Sequence, residues 1–173
     1  MKTIKDNPIK YSPNLARIVE IALLGKHTVL VAANLEQYPT AKEDYIHIRG
    51  LYSGLMGEDV NFGSSSAHIC FELVKPDFSN VLSSQYETTK ALVDRVLKAR
   101  DNEDVPEDLC SSSTALLKTA YESLNLGIVD TKHIISVATT IARLEGAKKI
   151  EVQHIAEAIQ YKAIDLEELT ILN

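Results

Sequence analysis

Five histidines (His27, His47, His68, His133 and His154) and two cysteines (Cys70 and Cys110) are the side chains best suited to hold a metal or move a proton near neutral pH. No two histidines stand at i,i+4, and no histidine or cysteine keeps the spacing of a zinc site, so the pattern specifies no metal centre. Both cysteines lie among apolar residues and read as buried free thiols of a reducing compartment. Gly63-Ser64-Ser65-Ser66 lacks the G-x-S-x-G form that presents a nucleophilic serine. The run Asp101 to Asp108, DNEDVPED, is rich in carboxylates but has neither the glycine nor the ordered ligand positions of a calcium loop. It reads as an exposed linker. Tyr38, Tyr45 and Tyr52 share a regular spacing that suits one buried helix face better than a platform for stacking bases.

The elements that would carry these groups can be traced from the apolar pattern. The chain has 173 residues, 45% hydrophobic and 24% charged, which fits one domain or one domain with a smaller appendage. Ser12-Pro13 opens a helix whose Leu15, Ile18, Val19, Ala22 and Leu23 recur at helical spacing, and Gly25 can close it in a left-handed conformation. Thr28 to Ala32 is a short β-branched run and reads as a buried strand. Pro39 to Leu51 is helical again, Gly54, Gly57 and the glycine–serine segment mark loops, and Ile69 to Val74 is a second strand stopped by Pro76. Strand, helix, strand at this length predicts a parallel βαβ unit.

Four helices follow. The first spans Ser84 to Arg100 behind a Ser84–Glu87 capping box, with a small basic group of Arg95, Lys98 and Arg100 on it. The second starts at Ser111 to Ser113, the third is capped by Asp130 and ended by Gly146, and the last is capped by Glu151. The expected fold class is therefore mostly α with a minimal parallel βαβ element of two strands, followed by a four-helix bundle. The expected division is 1–78 and 79–173. The tail from Ala163 to Asn173 fits either an extension of the last helix or a short packed segment.

The stretch Ala138-Thr139-Thr140-Ile141-Ala142-Arg143-Leu144-Glu145-Gly146, followed by His154-Ile155-Ala156-Glu157-Ala158-Ile159-Gln160-Tyr161-Lys162, resembles the C-terminal helical domain of the magnesium-chelatase-related AAA+ ATPases of the competence-protein type. There the corresponding words are A-R-T-I-A-D-L-x-G and H-I-A-E-A-I/L-Q-Y-R. The resemblance implies a capping or packing role for His154, and a helical nucleotide lid behind a remnant of an AAA+ α/β core. Arg95-Val96 and Ala99-Arg100 are similar to the family's R-V-x-x-A-R. Val19 to His27 resembles the helix that leads into the family's first core strand and its phosphate loop, G-P-P-G-x-G-K-T.

At that loop the chain departs from the family. Ala33, Asn34, Leu35, Glu36, Gln37, Tyr38, Pro39 and Thr40 supply neither the glycines that let backbone N–H groups wrap phosphates nor the lysine that meets their charge. Ala67, His68, Ile69 and Cys70 replace the family's D-R-I/F-D signature, and the segment of the acidic magnesium site has no counterpart. Family arginines would fall at Val129 and Thr139. The expectation is a truncated, non-catalytic relative with no cofactor and no metal, acting through protein contacts. The alternative is an ATP-binding or ATPase-associated subunit that works with a full-length relative, in DNA uptake. Removal of the core's middle would leave Thr28, Val29, Leu30, Val31 and Ala32 as an unpaired strand edge, inviting a protein partner or a second copy. A net charge of −6 disfavours direct nucleic-acid contact. Without a signal-like start or a run of about 20 apolar residues, the expected location is cytoplasmic with no membrane contact.

Overall fold

The computed structural model describes residues 13–56, 66–82, 88–102, 104–105 and 107–172. Helix α1 (Pro13–Gly25) leads into strand β1 (Val29–Ala33), then α2 (Ala41–Met56), β2 (Ile69–Glu72) and the short α3 (Phe78–Leu82). Helices α4 (Thr89–Arg100), α5 (Ser111–Ser123), α6 (Ile128–Leu144) and α7 (Val152–Gln160) follow, and β3 (Thr170–Ile171) lies near the end. The protein is mostly α, with a parallel β1–β2 pair as its minimal β element. The expected capping box at Ser84–Glu87, the Ser12 cap, Gly57 and most of the glycine–serine segment lie outside the described residues.

Strand β1 is buried at all five of its positions. A strand enclosed in this way needs backbone partners, because an unpaired buried N–H or C=O costs as much as a lost hydrogen bond. On one side β2 pairs in parallel, with Val29 opposite Ile69 and Ala32 opposite Glu72. On the other, β3 pairs antiparallel, Ala32 opposite Ile171 and Ala33 opposite Thr170, giving the order β2-β1-β3. The sheet thus has three strands instead of the expected two. The tail resolves as a short strand after α7 ends, with Leu172 only 2% exposed and its N–H donating to the Val31 carbonyl at 2.8 Å.

Helix α1 has two apolar faces, and both are covered. Ile18, Ile21 and Ala22 join the main core with β1, Tyr45 of α2, and Ile134, Val137, Ala138 and Ile141 of α6. Ala16, Val19 and Leu23 pack in a second cluster with Leu92 and Val96 of α4. The four later helices contact one another through α4–α6, α6–α7 and α5–α7, and α1 packs in addition against both α4 and α6. Each fully buried Leu or Ile here contributes roughly 1.5–3 kcal/mol of transfer free energy.

Local details refine the expected caps. Thr88 caps α4, its Oγ1 accepting from the Ala91 N–H at 3.2 Å. Cys110, not a serine, is the N-cap of α5, so this thiol is exposed where a buried one was expected. Gly127 is the N-cap of α6, and Asp130 supports it from the first turn by accepting from the Gly127 N–H at 3.1 Å. Gly146 ends α6 with φ +67° as expected, but at the end of α1 the left-handed residue is Lys26, φ 54°. Gly25 serves another purpose: a Cβ there would collide with the His27 ring and the Thr140 hydroxyl. The Asp101–Asp108 run is not wholly exposed, because Val105 is buried and Asn102 donates to the Arg143 carbonyl at 2.8 Å.

Replacing Leu172 with Ala is expected to lower the unfolding free energy by about 2–4 kcal/mol in urea titrations. It should also promote self-association visible in light scattering, as the β1 edge loses its cover.

Candidate functional site

The turn after β1 holds Ala33 to Thr40. Ala33 itself is the last residue of β1 and pairs with Thr170. The Asn34 side-chain oxygen accepts from the N–H groups of Glu36 at 3.0 Å and Gln37 at 3.2 Å, and the Asn34 carbonyl accepts from Tyr38 N–H at 2.8 Å. Two N–H groups that a phosphate-binding loop would turn toward its anion are thus occupied by an amide of the same turn. Leu35, Glu36 and Gln37 are exposed, which places the Glu36 carboxylate at the tip. Tyr38 is buried, and its hydroxyl donates to the Asp44 carboxylate at the start of α2. Burial, then this acid, hold its phenol well above the usual range. Pro39 and Thr40 are exposed, and the Thr40 carbonyl accepts from Glu43 N–H at 3.0 Å to start α2.

The stretch Thr28 to Ala32, expected to present a free edge, does not do so as a whole. Val31 and Ala32 face the tail, through the Leu172 bond and the Ala32–Ile171 pairing. The physical reason is burial: with every side chain of β1 enclosed, the chain brings its own end to the strand. Thr28 at the other end accepts from the N–H groups of His68 and Ile69, at 3.0 and 3.1 Å, on the β2 side.

Charged side chains that linear spacing did not single out converge on the seam between α1 and the last two helices. Arg17 of α1 donates to both carboxylate oxygens of Glu157, at 2.9 and 3.0 Å, and to Glu145 at 2.6 Å. The other Glu145 oxygen lies 3.0 Å from His154 Nε2, while His154 Nδ1 accepts from the Glu151 N–H at 2.9 Å. His154 is therefore the Nε2–H tautomer, 1% exposed, and caps α7 as the resemblance implied. Tyr161 completes the group, its hydroxyl donating to Glu157 at 2.8 Å. Burial alone would raise the Glu157 carboxyl, but its bonds to Arg17 and Tyr161 outweigh this and hold it below the ordinary range. Glu20, 5% exposed, is paired with Arg95 of α4 at 2.5 Å, so one of the three expected basic residues is used inside the fold.

A second group forms at the amino ends of β1 and β2. His27, in the α1–β1 turn, lies 5.1 Å from His68 between ring centroids, and His68 lies 4.0 Å from His133 of α6. The Thr140 hydroxyl donates to the Ser136 carbonyl at 3.1 Å, so at 2.8 Å it accepts from His27 Nε2–H. His68 Nδ1 accepts from the Thr28 N–H at 3.3 Å. Beside these rings Lys162 Nζ donates to the Ala67 carbonyl at 2.5 Å and to Asp130 at 3.2 Å. Burial, then the neighbouring imidazoles, push the His27 pKa down to about 4. His68 is lowered by burial, His133 and Lys162, and His133 by burial and Lys162. Among the described residues no three His, Cys, Asp or Glu side chains have the arrangement of a metal site. His47 stands apart, exposed on α2.

At the two positions where the resemblance would place arginines, Val129 is 57% exposed at the start of α6, and Thr139 turns its hydroxyl to the Ile135 carbonyl at 2.8 Å. Among the described residues no helix is long and apolar enough to cross a membrane. Residues 102–162 match the family model for the C-terminal domain of magnesium chelatase subunit ChlI. Comparison with curated proteins and with solved structures gives no match.

Arg17→Met should remove the anchor of the α1 seam while keeping most of the side chain's bulk. The expected loss is about 1–3 kcal/mol of unfolding free energy in urea at neutral pH. That difference from the parent should shrink as pH falls through the carboxylate range, because Glu157 owes its lowered pKa to Arg17 and loses the pair once protonated.

Proposed function

We propose, from the premise that residues 102–162 are a helical domain of the magnesium-chelatase-related AAA+ family, that this chain is a non-catalytic member acting through protein contacts. In this reading 1–78 is the remnant of an AAA+ core and 79–173 is the lid-type helical part. The observation that carries it is the turn at Ala33–Thr40, which follows the first core strand as a phosphate loop would. Its N–H groups at Glu36 and Gln37 are held by Asn34, its tip is an exposed carboxylate, and it has no lysine. A triphosphate placed there would meet like charge and find those two donors already engaged.

The lid side supports the same reading. His154, Glu157 and Tyr161 all belong to the family-like words; His154 and Glu157 tie α7 to the end of α6 and to α1, and Tyr161 supports Glu157 from the end of α7. Where an arginine would face a nucleotide, Val129 is exposed beside Ile128, which is 71% exposed. Apolar surface at that place suits a protein partner better than an anion. Because the tail covers part of β1, the contact is assigned away from that strand.

The alternative, an ATPase-associated subunit beside a full-length relative, is favoured by the preserved apolar packing of α6 and α7. Calorimetry separates the two. No heat is expected with Mg-ATP up to about 1 mM, and binding tighter than that would overturn the non-catalytic reading.

A further inference from the structure

The three-histidine group described above joins two parts of the chain that sequence order keeps far apart. His27 and His68 precede β1 and β2, whereas His133 and Thr140 lie on α6 and Lys162 follows α7. The groups facing the rings can be enumerated. From α6 come the Asp130 carboxylate and the Thr140 hydroxyl; from the end of α7 comes the Lys162 ammonium; from β2 comes Cys70, half-buried and within the field of Lys162 and Asp130. The Asp130 carboxylate acts on Lys162 and on His133, whose ring also has a hydrogen bond with the Ala67 backbone, whereas His27 and His68 face other imidazoles and His68 also faces Lys162. Asp130 already accepts from Lys162 at 3.2 Å and from the Gly127 N–H at 3.1 Å. His133 Nδ1 is buried with no hydrogen-bond partner among the described residues, so a proton placed there would have no acceptor.

We propose that the His27–His68–His133 stack is an acid-sensitive latch, which holds α6 and α7 against the amino ends of β1 and β2 when neutral and releases them when protonated. With the rings neutral, they fill the seam as flat, weakly polar groups, and His27 ties directly to α6 through Thr140. Protonation of His68 or His133 sets a positive charge beside Lys162 and beside the next ring, 4.0 Å away between centroids. The sign follows from linkage. His27 titrates at about 4 in the folded chain against an ordinary 6.5, and His68 and His133 are lowered too. Between those limits the unfolded or opened chain binds more protons, so the stabilisation is full above the ordinary histidine value and is lost as pH falls below it. The inference stands apart from the nucleotide question, since the latch lies at the opposite end of β1 from the Ala33–Thr40 turn.

Hydrogen exchange of the full chain, read by mass spectrometry and corrected for intrinsic rates, tests this at about pH 7.5 and about pH 5.5. Peptides from α6, α7 and β2 are expected to lose protection about tenfold or more at the lower pH, while α4 peptides, whose cluster contains no histidine, keep theirs. His68→Asn with His133→Gln keeps acceptors of similar reach and removes two titrating rings. In this variant the loss should fall to about twofold or less. Unchanged protection in the parent, or the same loss in parent and variant, would overturn the proposal. Should the double variant not fold, the parent alone decides: simultaneous opening of α4 and α6–α7 would mean general acid unfolding and would equally sink the latch.

Discussion

A strand with every side chain enclosed cannot leave its backbone unpaired, and in this protein that strand is β1. Its satisfaction organises what surrounds it. The parallel partner β2 requires a crossover, which α2 supplies, and α1 supplies apolar side chains to the core that β1 enters. The remaining edge is met by a strand of two residues and by Leu172, arriving from the far end of the chain. The main core consequently runs from Ile18 to Leu172 and draws on both the front and the back of the sequence.

Charge adds the registration that apolar packing lacks. Hydrophobic contact is non-directional, whereas a guanidinium bonded to two carboxylates fixes the position of α1 along α6 and α7. The same two acids are in turn held by His154 and Tyr161. Residues that look reactive in a list, a histidine beside a glutamate and a tyrosine beside another, are here engaged in holding helices together. Such networks depend on completeness, because each member left unpaired would be a half-buried polar group.

The match to the family model for the C-terminal domain of magnesium chelatase subunit ChlI covers residues 102–162, which hold α5, α6 and α7 and part of the main core. Fold and chemistry separate at this point. The helical region keeps its shape through apolar positions such as Ile134, Val137, Ala138 and Ile141, all 0% exposed. Such a core does not by itself specify an activity, which depends on a few polar and charged residues that can change without disturbing it.

The sequence by itself determined the order of the longer elements (α1, β1, α2, β2 and α4 to α7, though neither the short α3 nor β3), the parallel βαβ unit, the helical character of the back half and the identity of its family-like words. These follow from periodicity, breakers and local motifs, which act over a few residues. It also located the turn after β1 and the absence of glycine and lysine from Ala33 to Thr40, which is visible in the residues alone. Only the tertiary structure decided that β1 is a central strand, that α1 packs against α4 and α6, and that His27, His68 and His133 meet. Those depend on pairs separated by many tens of positions, such as Arg17 with Glu157 and Val31 with Leu172. No local pattern encodes such a pair; it is selected because burying one partner makes the other necessary.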